Sequence, residues 1–366
     1  MSLDTVRIGF IPLVDAAIPI MAAEVGFAAA EGLKVELVRE VSWSNIRDRL
    51  VLGHFDAAHL LAPLAIATTL GLGPMKAKLA APMALGLNGN AVTLSPALHD
   101  ELFARLEPGA DPTDPWATGR ALAEIVAARR RNGEQAPTLG MTFPFSTHNY
   151  LLRLWLVAAG LEPDVDVRLA VVPPPFMVDA LEQGHVEGFC VGAPWNSVAV
   201  DLGIGRIVHL GVDLVRNCPE KVLAMRDDRL AERRGVAERL IRSCAAAARW
   251  LADPANAAEA AERLAARDRL DVPADIVRRT LDGRLPTGRG GEARSDADYL
   301  IFDKAGETRP DPRHAVWLHA QMVRFAQAGA SSAQEAAAVY RPEIYDAALG
   351  LSGAAPGGPE ITTFER

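Results

Sequence analysis

The order of apolar segments at the start of the chain constrains the fold more than any other feature. Val6–Leu13 is a short strand-like run, Ala16–Ala30 has a helical composition rich in Ala and Met, and Leu33–Val38 alternates as strands do. A strand, a helix and a second strand in this order predict parallel pairing with a right-handed crossover. The sequence therefore predicts an α/β protein.

A second α/β block occupies residues 91–199. Its strand candidates include Ala91–Leu94, Val167–Val172 and Val186–Val191, and helical patterns lie between them. After Asp228 the chain is almost entirely helical. Two α/β blocks with polar turns at their strand ends predict two lobes with a ligand cleft between them. We expect residues 1–90 and 196–366 to form one lobe, with a helical C-terminal extension, and residues 91–195 to form the other.

Composition and charge exclude some classes of function. The formal net charge of −8 argues against a nucleic-acid surface, because phosphate binding needs a basic patch. Cys190, Cys218 and Cys244 have no spacing typical of a metal site or a disulfide framework. No membrane segment or signal peptide is visible, which predicts a cytoplasmic chain, although a removed signal peptide would leave no trace.

Motifs of the common enzyme classes are absent from the sequence. There is no G-x-S-x-G elbow, GxGxxG turn, Walker A loop or HExxH helix, and the histidines are scattered. The sequence therefore indicates a binding protein without a cofactor or a bound metal, rather than an enzyme.

One helix start has the features of an anion site. In Met141–Gly160, Pro144 interrupts what precedes it, and Ser146 or Thr147 can cap the following helix. His148 then lies on the first turn, where backbone N–H groups are unpaired and the helix dipole is positive. The same pattern also fits ordinary capping with His148 at the surface.

Several segments together resemble a known family. They are RIGFIPLVDAAIPIMAAEVGFAAAEGLKVELVREVSWSNIRDRLVLGHFDAAHLLAP, LGLNGNAV, FPFSTHNYLLRLWLVAAGLEPDVDV, VEGFCVGAPWNSVAV and CPEKVLA. With them the chain resembles, over residues 6–328, the substrate-binding proteins of nitrate and bicarbonate ABC importers, which have the periplasmic-binding-protein type II fold. The phrases FIPLVDAA, VSWSNIRD and DAAHLLAP resemble most closely its cytosolic branch, the NasS-type nitrate/nitrite sensors.

The resemblance implies a set of anion-binding residues. They are Trp43 of SWSN, Asn88 of LNGNA, His148 of FPFSTHN, Gly192 of VGAPWN and Lys221 of CPEK. Importer members can carry Gln at the position of Asn88. His59 of DAAHLLAP is a further candidate for the cleft, and the acidic Ca²⁺-linked site of bicarbonate-binding relatives has no clear counterpart, so no metal is carried over.

The chemistry of nitrate agrees with this set, because a planar anion with three acceptor oxygens needs only donors. Lys221 would supply three donors and the counter-charge. Each residue also has a purely structural interpretation: Trp43 as core, Lys221 as a solvated side chain, and Asn88 and Gly192 as turn residues.

Three functions follow from the resemblance. The first is a nitrate/nitrite sensor that sequesters an ANTAR-type RNA-binding antiterminator and releases it when the ligand closes the lobes. The alternative is the periplasmic substrate-binding subunit of a nitrate importer, with an ABC permease as its partner. The third is an enzyme of the related thiamine-precursor synthase family, whose His- and Cys-rich iron signature is absent here.

Overall fold

The structure is a computed structural model that describes residues 3–291, 293–352 and 358–365. The strands are β1 Asp4–Phe10, β2 Leu33–Arg39, β3 Ala57–Leu61, β4 Leu79–Ala84, β5 Leu87–Asn88, β6 Asn90–Leu94, β7 Thr138–Met141, β8 Arg168–Val171, β9 Gly188–Gly192, β10 Arg206–Leu210, β11 Val215–Arg216, β12 Lys221–Arg226, β13 Arg284–Pro286, β14 Ala293–Ser295, β15 Leu300–Ile301 and β16 Thr362–Thr363.

The α-helices alternate with these strands in the first half of the chain and dominate the second half. They are α1 Ala17–Glu24, α2 Phe27–Ala30, α3 Trp43–Val51, α4 Ala62–Leu70, α5 Pro96–Phe103, α6 Pro115–Asn132, α7 Thr147–Ala158, α8 Met177–Glu182, α9 Trp195–Leu202, α10 Gly211–Leu214, α11 Asp227–Glu232, α12 Arg234–Ala252, α13 Ala257–Ala265, α14 Ala274–Leu281, α15 Pro312–Arg324, α16 Ala333–Ala337 and α17 Pro342–Leu349.

Two five-stranded sheets organise the molecule. The first has the order β2-β1-β3-β12-β4, in which β1 pairs in parallel with β2 and β3, and β12 lies antiparallel between β3 and β4. The second has the order β10-β6-β9-β7-β8, in which β6 is antiparallel to both of its neighbours. The predicted α/β class and the parallel pairing of the first two strands are confirmed.

The first helical segment differs from its prediction. Ala16–Ala30 is divided into a 3₁₀ turn at Val14–Ala16, α1 and α2. Gly26 separates α1 from α2 with a φ of 100°, a left-handed conformation in which a side chain would be strained. The apolar content of the segment predicted its burial, but one glycine interrupts the helix.

The chain passes between the two sheets twice, which bears on the division into lobes. The first passage, between β4 and β6, lies next to the predicted boundary at residue 90. The second lies between β10 and β12, because β10 pairs with β6 in the second sheet. The division into lobes stays a prediction, and we propose that its second boundary lies at residues 211–220 rather than at residue 195.

The C-terminal helices pack mainly on the first sheet's side of the molecule. Helix α12 packs against α1, α2 and α17, and α15 packs against α4. A large apolar core surrounds the first sheet and a smaller one surrounds the second. Within the described ranges, every helix is too short or too polar to cross a membrane.

Candidate functional site

A buried lysine lies where the chain re-enters the first sheet. Lys221 is the first residue of β12, and its side chain is fully buried. Its Nζ lies 2.8 Å from Oδ2 of Asp15 and 2.5 Å from Oε1 of Glu220. Because a buried charge needs compensation, these two carboxylates explain how an ammonium group is stable here. The alternative interpretation of Lys221 as a solvated side chain does not hold.

The topology explains why these groups meet. Asp15 lies in the 3₁₀ turn shortly after β1, and His59 lies in β3, which is parallel to β1. Strand β12 is antiparallel to β3, so that its first residue, Lys221, pairs with Leu61 at the end of β3. The carboxyl ends of β1 and β3 and the amino end of β12 therefore share one edge of the sheet.

Asp15 connects Lys221 to His59. The Nε2 atom of His59 lies 2.9 Å from Oδ1 of Asp15, while the other carboxylate oxygen faces Lys221. Burial alone would raise the pKa of Asp15, but Lys221 and His59 outweigh it and hold this pKa well below its ordinary value. Burial also lowers the pKa of His59. Asp15 is therefore ionised and His59 neutral at neutral pH.

Helix α3 presents Trp43 to the lysine. Ser42 caps this helix by accepting a hydrogen bond from the backbone N–H of Asn45. Trp43 is 1% exposed, and Nζ of Lys221 lies 5.3 Å from the centroid of its ring. Its indole Nε1–H is buried and has no hydrogen-bond partner in the described ranges, which is rare for a buried donor.

Helix α7 presents His148 from the side of the second sheet. Ser146, rather than Thr147, caps α7 by accepting from the backbone N–H of Asn149 at 3.1 Å. His148 is 0% exposed, so the surface interpretation of this residue is wrong. Its Nδ1 lies 3.0 Å from Oγ1 of Thr142.

The other nitrogen of His148 faces the charged cluster. Its Nε2 lies 3.5 Å from Oε1 of Glu220 without forming a hydrogen bond. A lone pair on Nε2 would be directed at the carboxylate of Glu220, so we assign the proton of the neutral imidazole to Nε2, with the Thr142 hydroxyl donating to Nδ1. Burial lowers the pKa of His148 well below its ordinary value. The hydroxyl of Thr147, the next residue toward the helix start, is also buried and unpartnered.

Asn88 does not face this cluster. It has a left-handed backbone with a φ of 65°, and its Oδ1 accepts from the backbone N–H of Cys218 at 2.8 Å. Its Nδ2 donates to the carbonyl of Asp298 at 2.8 Å. Both ends of this amide are therefore used in holding a turn, and the assignment of Asn88 as a ligand residue is corrected.

Asn90 is the amide that borders the cluster. Its Nδ2 donates to Oε2 of Glu220 at 2.9 Å, and its Oδ1 is buried without a partner. Asn90 pairs with Gly192 across the second sheet. A Cβ on Gly192 would lie 3.4 Å from Oδ1 of Asn90 and 3.6 Å from Oδ2 of Asp15, so the backbone of Gly192 also borders the cluster.

Of the predicted set, Trp43, His148, Gly192 and Lys221 come together and Asn88 does not. Sequence reasoning missed Asp15, Asn90 and Glu220, and it gave His59 only a minor place. The missing signal was the charge of Lys221 itself: a buried lysine requires carboxylate partners, and Glu220 is its neighbour in the motif CPEK.

The cluster has the kinds of donor that a small anion needs. Nζ of Lys221 lies 5.3 Å from the centroid of the Trp43 ring and contacts Oε1 of Glu220, which lies 3.5 Å from Nε2 of His148. Among the described residues, Nε1 of Trp43 and Nε2 of His148 are buried nitrogens without a partner. Buried donors without partners are the groups that a bound ligand with acceptor oxygens would satisfy. Over the residues with described positions, no group of three or more acidic, histidine or cysteine side chains is arranged to hold a metal ion.

Two five-stranded sheets are flanked by helices and have a buried polar cluster between them. This architecture is that of ligand-binding proteins with a periplasmic-binding-protein fold. Residues 2–265 match the NMT1-like family, and the chain belongs to this family. The nitrate-binding proteins to which the chain is similar confirm the predicted resemblance to the substrate-binding proteins of importers.

Named relatives support the same assignment. The chain is 31% identical over 325 residues to the nitrate/nitrite binding protein NrtA of a Nostoc species, covering 87% of this chain and 70% of the relative. It is 32% identical over 320 residues to the nitrate import ATP-binding protein NrtC of a Synechocystis species, covering 87% of this chain. The chain spans only 45% of the length of that ATP-binding relative.

Solved structures agree with the fold. The periplasmic nitrate-binding protein NrtA of Synechocystis superimposes with a TM-score of 0.87 at 27% identity, covering 99% of this chain and 94% of that one. The ligand-binding component of an ABC-type import system from Staphylococcus aureus gives a TM-score of 0.71 at 17% identity, covering 94% and 99%. The latter likeness concerns the fold alone, and the predicted two-lobed type II fold class is confirmed.

Proposed function

We propose that this chain is the substrate-binding protein of an importer for nitrate or another small oxyanion, and that it binds its ligand rather than transforming it. The observation that carries the proposal is the pair of unpartnered buried donors of Trp43 and His148 beside the ammonium group of Lys221. Two helix N-termini, those of α3 and α7, deliver these donors, and helix N-termini favour negative charge.

The relatives support the importer function over the predicted sensor function. NrtA is named as a nitrate/nitrite binding protein and NrtC as a nitrate import protein, so the partners we propose are an ABC permease and its ATP-binding subunit. The structural relative NrtA is described as periplasmic, and we propose the same location for this chain. This replaces the cytoplasmic location that we predicted.

The sensor function is a second candidate, and one observation favours it. Asp15 and His59, which meet at 2.9 Å beside Lys221, come from FIPLVDAA and DAAHLLAP, two of the phrases that resemble the sensor branch. Copurification with an ANTAR-type antiterminator that nitrate releases would support it. An importer protein would bind nitrate and ignore the antiterminator.

The anion site is tested by thermal unfolding with nitrate, nitrite, bicarbonate, sulfate and chloride. A ligand at one hundred times its Kd adds about 2.7 kcal/mol to the free energy of unfolding. Trp43→Phe keeps an aromatic ring but removes the Nε1 donor, so we expect the Kd for the bound anion to rise about tenfold, equivalent to about 1.4 kcal/mol.

Trp250→Phe, in α12, is the matched control because this half-buried tryptophan lies outside the cluster. It should leave the Kd unchanged. Absence of stabilisation of the wild type by any of these anions would contradict the proposed function, and an unchanged Kd in Trp43→Phe would contradict this placement of the site.

A further inference from the structure

The buried cluster carries more negative than positive charge before any ligand arrives. Lys221 is its one cation among the described residues, and it faces the two carboxylates of Asp15 and Glu220. The imidazoles of His59 and His148 are neutral at neutral pH because burial lowers the pKa of each. With both carboxylates ionised, the cluster has a net charge of −1, and a bound monoanion would make it −2. Such a charge cannot be buried without compensation.

Among the residues whose positions are described, the groups that contact Glu220 or act on it electrostatically include no second cation. They are Lys221 and Cys218 on its own segment, Asp15 from the turn after β1, Asn90 from β6, His148 from α7, Cys190 from β9 and Tyr340 from the C-terminal region. Burial raises the pKa values of both thiols and of the phenol, so these three groups are neutral. Compensation must therefore come from a proton.

The two carboxylates differ in their readiness to take a proton. Asp15 is held by both Lys221 and His59, and its pKa is lowered. Glu220 shares Lys221 and, within the described part of the chain, otherwise accepts only from the neutral amide of Asn90. Burial raises the pKa of Glu220, with Lys221 acting in the opposite sense. Glu220 is thus the carboxylate that is protonated more readily.

The geometry also indicates how protonation of Glu220 would favour anion binding. Oε1 of Glu220 lies on the ligand side, 3.5 Å from Nε2 of His148 and 2.5 Å from Nζ of Lys221. Protonation converts this carboxylate from an acceptor that repels an anion into a neutral carboxylic acid. The Asn90 amide could then turn over, so that its oxygen accepts from Glu220 and its NH₂ group donates to the ligand.

We propose that a monoanion binds to this cluster together with one proton, and that Glu220 carries that proton. The proposal rests on the proposed function and adds a pH dependence to it. Protons bound with the ligand favour binding at low pH, so the Kd is lowest below the pKa that Glu220 has in the free protein. It rises by up to tenfold per pH unit above that pKa, until the pKa that Glu220 has in the complex is reached.

The test is titration calorimetry of nitrate binding to the full chain from pH 5 to pH 8.5, at constant ionic strength. At each pH two buffers with different ionisation enthalpies are used, because the difference in observed heat counts the protons taken up. We expect the wild type to take up between zero and one proton, approaching one as the free carboxyl becomes fully ionised, while its Kd rises with pH.

Glu220→Gln removes the ionisable group and keeps the shape of the side chain. We expect its Kd to be independent of pH, with no proton uptake. Glu307→Gln makes the same change at a carboxylate that is 9% exposed and bonded to the backbone N–H of Ala305. This control should behave as the wild type does.

Five outcomes would overturn the proposal. A wild-type Kd that does not change with pH, or binding without proton uptake, would exclude the coupling itself. Proton uptake that persists in Glu220→Gln would assign the proton to another group, such as His148. If this variant does not fold, an infrared difference spectrum of the wild type is used instead. A band of a protonated carboxylic acid must appear when nitrate binds, and its absence overturns the assignment to Glu220. No nitrate binding at any pH would instead overturn the proposed function, and this proposal with it.

Discussion

Lys221 shows how one side chain can depend on distant parts of the chain. Its ammonium group is stable in the interior only because Asp15 and Glu220 lie within 2.8 Å of it. Burial would lower its pKa, but the two carboxylates outweigh this effect and raise it, so the lysine stays charged. Removing either carboxylate changes the net charge of the site. The affinity for a ligand therefore depends on residues that need not touch the ligand.

The two asparagines of LNGNA, Asn88 and Asn90, have different roles: the first is structural and the second is in binding. Asn88→Ala places alanine, which tolerates a left-handed backbone less well than asparagine, at a φ of 65° and removes the hydrogen bonds to Cys218 and Asp298. We expect it to lower the free energy of unfolding by about 2 kcal/mol, with an unchanged Kd for nitrate. Urea denaturation and titration of the same samples measure both quantities.

Asn90→Ala should show the opposite pattern, because this amide contacts Glu220 and has a free oxygen beside Gly192. We expect its Kd for nitrate to rise about tenfold. Weakened binding in Asn88→Ala together with normal binding in Asn90→Ala would restore the assignment made from the sequence.

The same pair of residues shows where sequence reasoning stops. LNGNA predicts a turn because Asn-Gly favours one, but the direction of each amide depends on the left-handed backbone of Asn88 and on Cys218, which lies 130 positions later. His148 was predicted from the local signal of its helix start, and Trp43 from the family resemblance. Glu220 was not, because its role depends on Asp15 and His148 arriving from other elements.

At the scale of elements, two helices are used in the same way. Helix α3 begins after Ser42 and α7 after Ser146, and in each the serine accepts from the backbone N–H three positions later. The residue that points to the cluster follows within the first two helical positions, as Trp43 in α3 and His148 in α7. Capping therefore fixes the position of each donor as well as the end of its helix.

Ser146→Ala tests the capping of α7. Oγ of Ser146 accepts from the N–H of Asn149 and donates to the carbonyl of Phe143 at 2.6 Å, and the residue is fully buried. We expect the free energy of unfolding to fall by about 1 kcal/mol, with a weaker Kd for nitrate because His148 loses its fixed position.

Ser42→Ala is the matched variant, because Ser42 forms the same bond at 3.2 Å from a half-buried position. Its loss of stability should be the smaller of the two. Equal stability of Ser146→Ala and wild type in urea would show that the hydroxyl does not hold the helix start.

Strand β12 shows why element order alone does not reveal this fold. It lies between β3 and β4 in the first sheet, although all five strands of the second sheet come between β4 and β12 in the chain. Local patterns predicted EKVLAM as a strand but carried no information about its neighbours. Because the lysine and its carboxylate partners meet only through this insertion, the site is a product of the long-range topology.

At the scale of the whole molecule, the site joins the two sheets. Asp15, His59 and Lys221 belong to segments of the first sheet, whereas Asn90 and Gly192 are strand ends of the second. All five residues are buried, so an anion cannot enter without a separation of these segments. The described arrangement is therefore a closed one, and a ligand that contacts both sides would favour it.

This geometry predicts a ligand-dependent change in size. In solution without an anion, no ligand links the segments of the two sheets, so we expect a larger radius of gyration in small-angle X-ray scattering than with saturating nitrate. Trp43→Phe should need more nitrate to reach the same compact state, whereas Trp250→Phe should follow the wild type. The contrary result is a pair of identical scattering curves, with and without nitrate, under conditions where calorimetry shows full binding. The ligand would then enter by local motions of side chains or turns, and the two sheets would keep a fixed relative position.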